Sequence, residues 1–166
     1  MRSLLTTIRN RLADADADAD ERGSAIVEFV FVAVVVMVPL IYLIAAVATV
    51  QRTELAVTQA ARDAGRAYAT SETAAQADLR LDAAVRLALT DQGLPDDADV
   101  TVVEPGSDCE HGPRVAPQLN PGAEFTVCVA RRVELPGVPS VLAGRGVRTV
   151  GAYVVHIDDF REAPND

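Results

Sequence analysis

Few side chains in this sequence have the type and spacing to do chemistry. Glu28 stands five positions after Gly23 and directly before Phe29, inside an apolar register that runs on to Val50. A carboxylate in hydrocarbon is costly, so Glu28 is a functional candidate by default and requires a partner. Cys109 and Cys128 make an even pair, with His111 two residues after the first and His156 the only other histidine. A zinc ion would take such ligands, but no CxxC or HxxxH spacing supports one. A disulfide would close a loop of about twenty residues and contribute roughly 3 kcal/mol. Free thiols are the third possibility. The acidic pairs Asp96-Asp97 and Asp158-Asp159 lie in or beside loops, where solvated charge is their ordinary explanation. There is no Gly-rich phosphate loop, nucleophile elbow or HExxH, so neither enzymatic activity nor a cofactor is expected.

The element that must hold Glu28 runs from Arg22 to Val50. From Phe29 to Ala48 it carries no charge, a run of about twenty residues that matches the hydrocarbon thickness of a bilayer at helical rise. A chain this small offers little protein to surround such a helix, so a transmembrane helix is expected. Pro39, in mid-run, is of a kind tolerated in membrane helices and often marks a kink. The rival reading is a secretory signal cut after the small residues Ala46-Val47-Ala48. Its apolar core is too long for that, and it would contain Glu28.

Gly23-Ser24-Ala25-Ile26-Val27-Glu28-Phe29 resembles the cleavage site of type IV prepilins, which a membrane-embedded aspartic peptidase cuts after the glycine. With the long apolar run containing Pro39 and the tail Ala60-Ala61-Arg62-Asp63-Ala64-Gly65-Arg66-Ala67, the resemblance narrows to the TadE-like family, the pseudopilins (minor pilins) of tight-adherence pilus systems. It covers residues 22 to 68; Asp63 stands where the commonest form of the tail has Glu. The resemblance implies a mature chain beginning at Ser24, with processing residues Gly23, Ser24, Glu28 and Phe29. It also implies a partner for Glu28. The freed α-amino group of Ser24 is largely cationic at neutral pH and in a filament would meet the Glu28 carboxylate of a neighbouring subunit. A glycine before the cut suits a protease that must approach the backbone closely. The implied partners are the membrane, a prepilin peptidase, other pilins and pilus assembly proteins.

Three segments follow: a leader or cytoplasmic segment over 1–23, the transmembrane helix over 24–50, and an extracytoplasmic domain over 51–166. In the leader, Met1–Leu12 carries Arg2, Arg9 and Arg11 among apolar residues and suits a short basic amphipathic helix. Ala13–Asp20 alternates Ala and Asp, a low-complexity run expected to be disordered. Arginines flank the apolar run on both sides and do not settle its orientation; the larger C-terminal part with its cysteines is placed outside, where a disulfide is expected. The net charge of −9 excludes nucleic acid as an expected partner.

Beyond the membrane, Gln51–Tyr68 should continue as helix. Its stripe Ala56, Ala60, Ala64 and Ala67 would pack closely, against other subunits or against the protein's own domain. Thr70 or Ser71 is the expected N-cap of a second helix whose apolar face is Leu81, Ala84, Val85, Ala88 and Leu89. Leu79 and Leu87 fall on its far side as exposed leucines, and Gly93 and Pro95 stop it. Val100–Glu104, Phe125–Val133 and Val147–Ile157 read as strands, with turns at Pro105-Gly106, Pro121-Gly122 and Pro136-Gly137; the tail Glu162–Asp166 should fray. The fold expected is α+β: a transmembrane helix continuing into a second helix, then a small three-stranded antiparallel sheet, pilin-like if the resemblance holds. Two other functions stay open: a membrane-tethered binding or sensory module, and a secreted enzyme released at Ala48.

Overall fold

A computed structural model of the chain describes residues 2–137 and 146–162, with side chains from residue 26 onward. Helix α1 spans Arg2–Ala69 and includes Pro39. Ala13–Asp20, expected to be disordered, is helical as part of α1. Alanine has the highest helix propensity, and a helix already nucleated elsewhere adds each residue for one more hydrogen bond. Inter-residue contacts divide the chain into two compact units, Met1–Ile44 and Ala45–Asp166.

In the first unit every described side chain from Ile26 to Ile44 is exposed except the half-buried Ala33. The apolar helix from Ile26 is long enough to cross a membrane, and its apolar window is unburied. This fits a single-pass membrane protein.

The second unit contains the rest of α1, helix α2 (Ala74–Asp91), and strands β1 (Asp99–Val103), β2 (Glu124–Val133) and β3 (Val147–His156). The expected α+β arrangement is present, with strand boundaries within a residue of those read from the sequence. The N-cap of α2 is Thr73, not Thr70 or Ser71. Those two hydroxyls are taken, because Thr70 donates to the Arg66 carbonyl and Ser71 to the Ala67 carbonyl, closing the end of α1. Thr73 then accepts from the Gln76 amide at 3.3 Å, while the Gln76 side chain accepts from the Glu72 amide. At the other end Gly93 takes φ 64°, and the Leu94 and Gly93 amides donate to Leu89 and Thr90 in a Schellman turn. Leu79 and Leu87 are exposed.

The three strands form an antiparallel meander in the order β1-β2-β3. Side chains alternate across it, and Phe125, Val127 and Val129 of β2 enter the main core with Val57, Tyr68, Leu81, Val85 and Leu89. The alanine stripe belongs here as well. Ala56, Ala60 and Ala64 are buried in this core, so the unit itself covers them. Small residues let helix and sheet approach closely. A Cβ at Gly65 would stand 2.7 Å from Cδ1 of Tyr153 and Cγ2 of Val155, and one at Gly151 would run into the Val57 carbonyl. The tail that carries part of the family resemblance is therefore the side of α1 that meets β3.

The opposite face of β2 is not the half-solvated face that simple alternation suggests. Thr126, Cys128 and Ala130 are buried too. The connection after β1 folds back over them: Val115 donates to the Val102 carbonyl, and the Gly106 amide donates to Thr126 Oγ1 at 3.0 Å.

Candidate functional site

The first candidate site lies on α1. Gly23 and Ser24 are helical, and their side chains fall outside the described set. Glu28 and Phe29 are exposed, Phe29 at 73%. No cation pairs with Glu28 among the described residues. Ser24 and Glu28 are four residues apart in one helix, a spacing that puts both on one face about 6 Å apart along the axis. In the intact chain the Ser24 nitrogen is an uncharged amide within α1. It becomes an ammonium group only if the bond to Gly23 is cut.

The second candidate is the cysteine pair. Cys109 and Cys128 are joined by a disulfide with their Cα atoms 5.8 Å apart and a sequence separation of 19. Both thiols are thereby withdrawn from zinc. The local chain is shaped for this bond. Asp108 Oδ1 accepts from the Glu110 amide at 2.8 Å and from the His111 amide at 3.0 Å, turning the backbone around Cys109. Those two amides, with the His111 side chain, hold the Asp108 carboxyl below the usual carboxylate range. Glu110 continues the clasp with an ion pair to Arg148 of β3 at 3.5 Å.

The far end of α1 is fixed by two groups. Tyr68 stacks edge-on against Phe125, ring centres 5.3 Å apart, and donates to the Pro117 carbonyl at 3.0 Å. Burial pushes its phenol above the ordinary value; the Asp78 carboxylate adds to this and Arg161 opposes it. Arg161 donates to the Ala69 carbonyl at 2.7 Å and also to Ser71, satisfying carbonyls that a helix end leaves open. The segment just before the tail is thus tied down; residues 163–166, expected to fray, lie outside the described set.

The acidic pairs differ from their sequence reading in detail. Asp96 meets Arg86 at 3.1 Å and Asp97 pairs with Arg131, while Asp159 lies 3.8 Å from His156. They hold loops against strand and helix as well as meeting solvent. Among the described residues no group of three or more His, Cys, Asp or Glu is placed to hold a metal. One region passed over in the sequence lies where β2 ends: Arg131, Arg132 and Glu134 line an open cleft with Thr49 and Thr53. Its signal was there to be read, as a basic pair and an acid ending an otherwise apolar strand.

Comparison of the chain with family models, with curated proteins and with solved structures finds no match to any of them.

Proposed function

We propose that this chain is a TadE-like pseudopilin: a structural or assembly component of a tight-adherence, type IV-like pilus, cut after Gly23 by a prepilin peptidase. It would sit in the cell membrane with its C-terminal domain outside, working with other pilins and pilus assembly proteins. The observation that carries this reading is Glu28. It is an exposed carboxylate on an apolar helix, without a cation among the described residues and one helical turn beyond Ser24. An isolated intramembrane carboxylate is rare without a use. Cleavage after Gly23 would create a cation, and packing of subunits would bring that cation to a neighbour's Glu28. Processing and assembly are then one coupled event.

Glu28→Gln keeps size and removes charge. Breaking a buried ion pair typically costs about 3–5 kcal/mol, less when a neutral amide replaces the charge. The variant is expected to be cleaved at Gly23 yet to disappear from assemblies trapped by in vivo crosslinking to other pilins. Normal recovery in those assemblies would remove the pairing role. A variant cleaved nowhere, beside a wild type that also keeps Met1, would leave a simple membrane-tethered module.

A further inference from the structure

We infer that the outer edge of β3 takes an extended strand from a partner chain, antiparallel to β3 and apolar at alternate positions, with an acidic residue toward Arg148 and a basic one toward His156. This does not depend on cleavage after Gly23. β3 ends the sheet. It spans ten residues without a proline, and its pairing with β2 runs unbroken from Val147 to His156. A long, regular edge of this kind is a template for another strand unless something guards it. The two edges of the sheet differ in this respect. Outward groups of β1 are taken, because Val115 donates to the Val102 carbonyl and Glu104 to the Pro113 carbonyl. On β3 the Ile157 amide donates to Ala123, which by alternation aims the backbone of Thr149, Gly151, Tyr153 and Val155 at β2. The amides and carbonyls of Arg148, Val150, Ala152, Val154 and His156 then point away from the sheet. None of them bonds elsewhere among the described residues.

Residues 138–145, outside the described set, lead into β3. Fully extended they span roughly 28 Å, so a loop that leaves the Val133–Val147 end and returns to it reaches about 14 Å. Ala152 stands about 17 Å along β3 from Val147, and Val154 about 23 Å. The far half of the edge lies beyond that loop.

The outer face sets what the added strand must carry. Val150 is 37% exposed there and Val154 48%, with the exposed Ala152 between them. The two ends differ in charge. Arg148 stands opposite Arg132 in the register, and Glu110 lies 3.5 Å from Arg148, so two guanidinium groups surround one carboxylate. At the other end His156 stands opposite Glu124 at 3.1 Å, with Asp159 at 3.8 Å, so two carboxylates surround one imidazole. Opposite charges across strands stabilise and like charges do not, which fixes the sign at each end. Antiparallel pairing is the stronger per residue. A second copy does not fit. Its β1 edge is closed, so it offers only β3, and two identical edges meet about a two-fold axis, here normal to the sheet. α1 runs in the same sense as β3, since Val57 lies against Gly151 and Gly65 against Val155. That axis reverses α1, whereas copies anchored in one membrane share its direction. Only this step rests on the reading that the apolar run spans the membrane.

The test is amide exchange followed by NMR on the full-length protein in detergent, with and without a synthetic peptide as long as β3. The peptide alternates valine and threonine, with lysine at its amino end and glutamate at its carboxyl end, which antiparallel pairing brings to His156 and Arg148. In the free protein the Ala152 and Val154 amides should exchange fast and those of Tyr153 and Val155 slowly. The peptide should slow Ala152 and Val154. Val154→Pro removes an outward amide, a change that edge strands tolerate, and should weaken peptide binding roughly tenfold. Val154→Lys places on the edge the kind of charge that guards others and should weaken binding too. Slow Tyr153 and Val155 amides check that both variants keep the sheet. A peptide that leaves Ala152 and Val154 fast would overturn the proposal, and so would equally tight binding of a peptide with its end charges exchanged. Slow exchange at Ala152 and Val154 without peptide contradicts it in one of two ways. Persisting on dilution, it means that the chain covers its own edge; released by dilution, it makes a second copy the occupant.

Discussion

In the N-terminal unit Val30, Val34 and Val36 stand 53–57% exposed, whereas in the second unit Val57, Val127 and Val129 are fully buried. The residue type is the same and the surroundings are opposite. The second unit buries a core of its own between two helices, a sheet and a disulfide-tied loop, and its charges meet counter-charges or solvent. The first unit covers almost nothing, and an uncovered apolar surface of this length requires a membrane or protein partner. One part of the chain carries its own solvent-excluding shell; the other has to find one. Glu28 sits in the part that has to find one, so its partner is sought outside the chain.

The contrast breaks most visibly at two phenylalanines. Phe125 is 2% exposed and Phe31 67% exposed. Phe125→Ala is expected to destabilise the second unit by about 3–5 kcal/mol, and Phe31→Ala to change it by no more than about 0.5 kcal/mol. Chemical denaturation of the detergent-solubilised protein, followed by circular dichroism, compares them. Equal losses would mean that the first unit's apolar surface supports the fold of the second.

A smaller effect sharpens the difference in location. Replacing Cys109 and Cys128 together by Ser should cost about 3 kcal/mol, from the loop that the disulfide closes. Non-reducing peptide mapping of protein from its native host should recover the linked pair. Two free thiols, trapped before lysis, would contradict an outside position for this unit.

The smallest effects lie at the joints of the second unit. Tyr68→Phe removes the bond to Pro117 and should cost about 1 kcal/mol. Because the folded phenol titrates above its unfolded value, Tyr68 contributes stability that is fully present below the unfolded value, near pH 10. That contribution is lost as pH rises through the folded value, so Tyr68→Phe should unfold less steeply in alkali than wild type. Asp108 acts with the opposite sign. Its folded carboxyl titrates below the unfolded value, near pH 4, so its contribution is present above that value and is lost as pH falls through the folded one. Alkaline and acid melts of wild type and Tyr68→Phe check the first sign directly.

The elements that alternate or repeat strongly were legible in the sequence. Val147–His156 and Glu124–Val133 announce themselves by β-branched runs between Pro-Gly turns, and the second helix by Leu81, Val85, Ala88 and Leu89. The cysteine pairing followed from an even count and an outside placement. What stayed hidden depends on tertiary choice. Thr70, Ser71 and Thr73 are equally good capping residues in isolation, and only the end of α1 decides which hydroxyl is free. The alanine stripe has the same spacing whether it faces a neighbour or its own sheet; Gly151, many residues away, is what makes room for it. Burial of Thr126 and Cys128 on the second face of β2 needed the returning loop. The cleft at the end of β2 left a basic pair and an acid in the sequence, but which elements line it with them is set only by the fold. Gly23 and Glu28 are the reverse case, since their spacing lies in sequence alone and the partner proposed for Glu28 belongs to another molecule.

N-terminal sequencing with intact mass measurement of the protein from its native host tests the central claim most directly. Cleavage after Gly23 predicts a mature chain that starts at Ser24 and carries a free α-amino group opposite the carboxylate of a neighbour's Glu28. A first residue of Thr49 would contradict this in favour of signal peptidase, and an intact Met1 would contradict it in favour of a simple anchor.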